Sequence, residues 1–205
     1  MTKRKTVHAV RAGRPEPKRA AQRIRESAHD LFYRRGIRAV GVEEIVAKAG
    51  VTKPSLYRSF PSKDELAADY LRHMSEDGLA RFDAIIAAKP ADPRGQLHIW
   101  LTELQQKAAR PDYRGCGTSN AAIEYPDRKH PARKVALGIK KRFRARLSAV
   151  AKAIGAKKPE RLGDALMLLF EGVYVSGQIF AAGGPARVVI DAADMLIDGH
   201  LATAS

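Results

Sequence analysis

Residues 42–60 read VEEIVAKAGVTKPSLYRSF, and the order of apolar, small and polar residues predicts two short helices joined by a tight turn. Val42, Ile45, Val46 and Ala49 recur at one-turn spacing, the pattern of a helix with one buried stripe. Gly50 follows, and glycine accepts the left-handed conformation in which many helices stop, which makes Val51 a buried turn residue. Thr52 is placed to cap a second helix with its hydroxyl. Leu56 and Phe60 lie four apart and face inward, so Lys53, Ser55, Tyr57 and Ser59 turn outward. A helix exposing a cation, hydroxyls and a phenol has the chemistry to enter a major groove and meet base edges and phosphates.

The flanks extend the pattern. Residues 61–66, PSKDEL, open another helix with Ser62 at the cap and Glu65 three residues on, a capping box whose first turn carries Lys63. Upstream, Ala20, Ile24, Ala28 and Leu31 repeat at helical spacing with Phe32 beside them, predicting a supporting helix over 18–35. Leu31-Phe32, Gly36, Ala49-Gly50-Val51, Leu56-Tyr57, Phe60 and Ser62 to Leu66 together resemble the DNA-binding domain of the TetR family of repressors. The resemblance covers roughly the first third of the chain. It implies that Lys53, Pro54 and Ser55 form the base-reading turn, that Tyr57 and Lys63 clamp phosphate, and that Thr52 and Ser59 complete the DNA-binding set. Pro54 suits a first turn, where its missing N–H costs no intrahelical bond.

Two positions depart from the family pattern. Val40-Gly41 stand where the family usually has Ser or Thr before the first of the two helices, leaving Gly41 as a weaker cap. Glu43 occupies a position where some members carry a basic base-reading residue; it either complements the helix dipole or accepts a hydrogen bond from cytosine.

The whole chain sets the frame. Its 205 residues, 45% hydrophobic, suffice for one small module and a larger domain with its own core. A net charge of +15 predicts attraction to polyanions, nucleic acid first. Cys116 is the single cysteine, which excludes an intrachain disulfide and a multi-cysteine zinc site. The six histidines are scattered without metal-ligand spacing, so neither a metal nor a cofactor is expected. No apolar run follows the basic N-terminus, which argues against a secretory signal and for a cytoplasmic protein. The longest apolar stretch, 165–182, contains Glu171 and Gln178 and reads as buried between helices rather than as a membrane span.

Along the chain, residues 1–17 read as a disordered basic arm, 18–66 as a helix-turn-helix domain and 67–205 as a second domain. Residues 63–88 contain no proline and predict one long helix of roughly 40 Å joining the two, a mechanical lever. Asp92-Pro93 opens a helix to Arg110; a short helix follows near 118–124, then a basic one over 130–154. Pro159 and Pro185 each open a final helix, and no segment alternates like a strand. The fold class is all-α: a three-helix helix-turn-helix domain joined by a long helix to a C-terminal helical effector-binding and dimerisation domain.

The resemblance implies a homodimer built through the last two helices, a palindromic double-stranded operator and an unidentified small-molecule effector. Gly172, Ser176 and Gly177 fit close approach of helices, across a dimer or within one chain. Trp100, Tyr113, Cys116, Asn120, Glu124, Phe170, Tyr174 and Gln178 offer aromatic walls with polar handles, a composition shared by effector pockets and helical cores. The stretch 114–126, with Arg114-Gly115-Cys116, Asn120-Ala121-Ala122 and Glu124-Tyr125-Pro126, resembles one found in a subgroup of these regulators. Cys116 has two readings, a redox-sensing thiol and a small residue lining the pocket. Two other functions compete with a ligand-released repressor: a non-specific nucleoid protein, which the charge alone permits, and an enzyme pairing Cys116 with His98 or His130. The enzyme lacks support from any nucleophile elbow, phosphate-binding glycine loop or histidine-carboxylate spacing.

Overall fold

The computed structural model describes residues 20–201, so the basic arm at 1–17 lies outside the described residues. Nine α-helices and no strand occur among them. Helix α1 (Ala20–Arg35) supports α2 (Val42–Ala49) and α3 (Lys53–Ser59). The long α4 (Lys63–Ala88) leads into α5 (Pro93–Ala108), α6 (Gly117–Glu124), α7 (Pro131–Ile154), α8 (Pro159–Phe180) and α9 (Val189–Leu201). Pro185 opens a 3-10 turn over Pro185–Val188 rather than α9 itself; that turn runs directly into Val189.

The termini follow from local chemistry. Gly50 ends α2 at φ 60°, ψ 43°, with its N–H on Ala47 O. Ser62 caps α4 by accepting from Glu65 N at 3.1 Å, and Asp92 caps α5 by accepting from Gly95 N at 2.8 Å. Thr52 differs from the sequence expectation. It stands extended at the N-cap of α3, but its side chain accepts no cap hydrogen bond. The reason is local: an N-cap oxygen serves the N–H groups two or three residues on, and Pro54 removes the nearer one.

Two apolar cores result. The first joins Ile24, Ala28 and Phe32 of α1, Ile45 and Val46 of α2, Leu56 of α3 and Leu66, Tyr70 and Leu71 of α4, and it also takes Ala121 of α6 and Ala132 of α7. The second joins Leu79 and Phe82 of α4 with Leu97 and Leu101, Phe143 and Leu147, Leu162, Leu166 and Phe170, and Ala193 and Ile197. Helix α4 therefore passes from one core to the other between Leu71 and Leu79. At about 1.5 Å per residue its 26 residues span roughly 40 Å.

Helix α8 packs between other helices, as expected, but only over part of its surface. It turns Leu162, Leu166, Phe170 and Val173 into the second core, but Leu168 is 74% exposed and Ile179 66%, with Val175 and Phe180 also open. Met195 of α9 is 75% exposed. Residues 159–183 are long and apolar enough to cross a bilayer by length and composition, yet α8 packs along α7 through one full face. Helices α5, α7 and α9 cover its inner face and leave Leu168, Val175 and Ile179 open. Gly177 packs within the chain: a Cβ there would lie 2.7 Å from Tyr113 Cε1 and 2.8 Å from Ala108 Cβ. A Cβ at Gly172 would meet nothing within 4 Å.

Candidate functional site: an exposed helix and an aromatic cavity

Helix α3 is held on the N-terminal core by Leu56, fully buried, and by Phe60 at its C-cap. Its other residues face solvent, with Tyr57 44% exposed. Lys53 Nζ lies 2.6 Å from Glu43 Oε1 of α2, and that hydrogen bond with the Glu43 charge raises the lysine pKa. The pair is exposed on both sides, so a phosphate or base edge can displace Glu43 from Lys53 without desolvating either group. Arg58 donates to Ser55 Oγ at 2.8 Å and Ser59 Oγ donates to Ser55 O at 3.3 Å, which pre-orients the exposed hydroxyl row. Lys63, at the start of α4, donates to Arg38 O at 3.3 Å, and partial burial lowers its pKa. Thr52, Lys53, Pro54, Ser55, Tyr57, Ser59 and Lys63 thus lie on α3, its cap and the first residue of α4.

Between α4, α5, α7 and α8 lies a cavity of about 370 Å³, within the size range of small-molecule sites. Of the eight candidate pocket residues, Trp100, Tyr113, Cys116 and Tyr174 line it. Asn120, Glu124 and Gln178 line a separate cleft against α1, with Arg38 and Arg114. Phe170 is fully buried in the second core, edge-on to Phe143 at 5.2 Å, and reaches neither space. The division follows helical geometry. Thr118 faces the cavity from the first turn of α6, whereas Asn120, two residues or about 200° round the helix, and Glu124, one turn beyond Asn120, face the other cleft.

Three cavity residues escaped sequence reasoning. Phe143 shows in the sequence only as one apolar position of a basic helix, yet it lines the cavity beside Trp100, which packs edge-on to Phe82 at 5.1 Å. Lys140 sits in a helix whose charge reads as a solvated face, although its place three residues before the buried Phe143 puts it on the inward side. Its ammonium pairs with Glu171, contacts Cys116 Sγ at 3.4 Å and lies 5.0 Å from the centre of the Tyr174 ring. Tyr33 belongs to α1, and nothing in the sequence links it to a cavity beyond residue 70. The Tyr33 hydroxyl accepts from Arg114 N at 3.1 Å and so brings the first helix to the cavity edge.

Helix α6 joins this cavity to the N-terminal core. At its start, a Cβ on Gly117 would lie 2.8 Å from both Tyr70 Oη and Met74 Sδ of α4, so any other residue would have to push the ends of those two side chains aside. At its end, Glu124 Oε2 accepts from Arg38 N at 2.8 Å in the turn between α1 and α2, and Arg38 also donates to Glu124 O at 3.4 Å. Gly36 adopts φ 86° to bring that turn over the carboxylate. Just beyond, the Tyr125 ring stacks on His130 at 3.7 Å, and His130 Nε2 lies 3.4 Å from Asp64 Oδ2 of α4.

Comparison with known proteins agrees with this architecture. Residues 24–70 match the family model for bacterial regulatory proteins of the tetR family. The HTH-type transcriptional repressor KstR2 of Rhodococcus jostii (strain RHA1) is 35% identical over 75 residues, a match spanning 37% of this chain and 36% of that repressor. The crystal structure of a putative regulator of this type from Streptomyces avermitilis is 32% identical, covers 89% of this chain and 98% of its own, and superposes with a TM-score of 0.76. A TetR-family transcriptional regulator from Streptomyces coelicolor is 29% identical over 89% of this chain and 94% of its own, with a TM-score of 0.78. With the helix-turn-helix, the long α4 and the second helical unit all matched, the chain belongs to the tetR family of bacterial transcriptional regulators.

Proposed function

We propose that the protein is a cytoplasmic homodimeric repressor of a palindromic operator, released when a small molecule occupies the cavity between α4, α5, α7 and α8. The observation that carries this reading is the construction of the cavity edge. Tyr33 of α1 and Gly117 of α6 tie the cavity to the same core that supports α3. In this reading Lys53, Pro54 and Ser55 read bases, Tyr57 and Lys63 hold phosphate, and Thr52 and Ser59 border the contact. Residues 18–66 act as the DNA-binding domain and 67–205 as the effector-binding and dimerisation domain. The open apolar face of Leu168, Val175, Ile179 and Met195 supports dimerisation through α8 and α9. A two-fold pair would set two α3 helices into successive major grooves, roughly 34 Å apart.

A palindromic site selected from random DNA tests the proposal. Its affinity should exceed that of scrambled DNA by at least about a thousandfold at physiological salt. A ratio near one would instead support a nucleoid protein whose binding follows from the +15 charge.

A further inference from the structure

The loop between α6 and α7, with the first turn of α7, carries charge that neither the cores nor the cavity use. Residues 125–134 read YPDRKHPARK, with four Arg and Lys against one carboxylate. Arg133 donates to Ala122 O and so completes the end of α6. Arg128, Lys129 and Lys134 are exposed, and among the described residues none of the three has an acidic partner. Lys134 also stands in the first turn of α7, where the helix dipole favours acids and none is present. Unpaired cations gathered at the positive end of a helix repel one another and the dipole, a cost that an anion from outside would relieve.

A second observation fixes where that anion lies, because the loop is pinned at both ends against the DNA-binding domain. At one end Glu124 Oε2 accepts from Arg38 N at 2.8 Å. At the other, His130 Nδ1 accepts from Ala132 N at 3.2 Å, which puts the proton of the neutral ring on Nε2, 3.4 Å from Asp64 Oδ2 in the first turn of α4. Between them Tyr125 stacks on His130, and Lys129 N donates to Asp127 Oδ1 at 2.9 Å. The nearby carboxylates Asp64, Glu124 and Asp127 are each engaged in this way, so the loop presents its cations already positioned. Asp64 follows Lys63, whose ammonium donates to Arg38 O, and the loop is thereby joined contact by contact to the residue at the DNA-facing end of α4.

We infer that Arg128 and Lys129 of the α6–α7 loop bind operator phosphates beside those held by Lys63, outside the groove that α3 enters. This rests on the reading of α3 and Lys63 given above. In that reading double-stranded DNA is the polyanion lying along this edge, and its closely spaced phosphates allow adjacent flexible cations to neutralise one each. Lys134, one turn into α7, adds to the local field. Phosphate contacts carry no base information, so the loop adds affinity and ties the second helical unit to the operator without changing the sequence read.

The test follows the affinity of the full chain for a palindromic duplex selected from random DNA, by fluorescence anisotropy, as salt rises from about 50 to 200 mM. Each neutralised phosphate contributes about 0.9 to the slope of log affinity against log salt. Arg128→Gln with Lys129→Gln removes two contacts per protomer, so in a two-fold pair the slope should flatten by about 3.6; over that range the wild type should lose roughly 150-fold more affinity than the variant. The selected consensus should stay the same. Lys141→Gln with Arg142→Gln removes equal charge from exposed positions about 15 Å along α7 from its start, and should leave the slope unchanged. Ethylation of individual phosphates should interfere with wild-type binding at positions to which the loop variant is indifferent. Circular dichroism checks that both variants fold. Equal flattening by both variants would make the effect one of net charge and overturn the contact. An unchanged slope in the loop variant also overturns it and leaves the repressor reading standing, whereas a wild type that does not prefer the selected duplex to scrambled DNA overturns both.

Discussion

Glu124→Ala tests whether α6 physically grips the DNA-binding core. The turn between α1 and α2 is held at Arg38 from two sides, Glu124 Oε2 on its N–H at 2.8 Å and Lys63 Nζ on its C=O at 3.3 Å. A hydrogen bond to a carboxylate is worth about 1.5–3 kcal/mol when shielded. This one is open to water on one side, which replaces part of it, so a loss of ~1 kcal/mol is the reasoned value. The Arg38 guanidinium bond to Glu124 O survives, because the backbone carbonyl is retained. Hydrogen exchange of the Arg38 amide should therefore quicken about fivefold, the factor that ~1 kcal/mol represents. Thermal unfolding should fall by roughly 2–4 °C for a chain of this size. Glu124→Gln keeps an uncharged acceptor and should fall between. If α6 also carries the effector signal, the ratio of operator affinities with and without saturating effector should shrink by a similar factor, since such couplings amount to about 1–3 kcal/mol. Unchanged Arg38 exchange and melting in Glu124→Ala would refute the grip, and an unchanged ratio would refute its part in signalling.

Other outcomes follow from the same geometry. Tyr57→Phe should weaken operator binding by about 1 kcal/mol without altering base preference, whereas Lys53→Ala should change the preferred base at one position of each half-site; an unaltered consensus after selection would remove Lys53 from base reading. Gly177→Val should destabilise the chain by ~1–3 kcal/mol in urea melts, because its Cβ meets Tyr113 and Ala108. Gly172→Leu, built into open space, should leave the monomer fold intact and weaken the dimer in sedimentation; a stable, unaltered dimer would move the interface elsewhere. Two glycines inserted after Gly78 interrupt α4 where it passes between the cores. With Glu124 and Tyr33 still bridging, the insertion should reduce but not abolish effector-dependent operator release. Complete loss would show that α4 acts alone.

The helices and the exposed face of α3 were legible in the sequence because the interactions that define them are local. Gly50 stops α2, Ser62 and Asp92 cap α4 and α5, and apolar residues three and four apart choose the buried stripe, all within one or two turns. The same locality fixes which residues of α3 face outward once Leu56 and Phe60 face in. The cavity was only half legible. Residue type marked Trp100, Tyr113, Cys116 and Tyr174, but whether a side chain reaches a common space depends on helix rotation and on partners far along the chain. Such packing placed Phe170 in the core, turned Asn120, Glu124 and Gln178 to another cleft and brought Tyr33 and Lys140 to the wall. The link between the cores shows the same division. An unbroken α4 suggested a single lever, whereas the Glu124–Arg38 and Tyr33–Arg114 bonds join residues more than eighty positions apart. No periodicity encodes such pairs; they exist only because the packed helices bring them within hydrogen-bond reach.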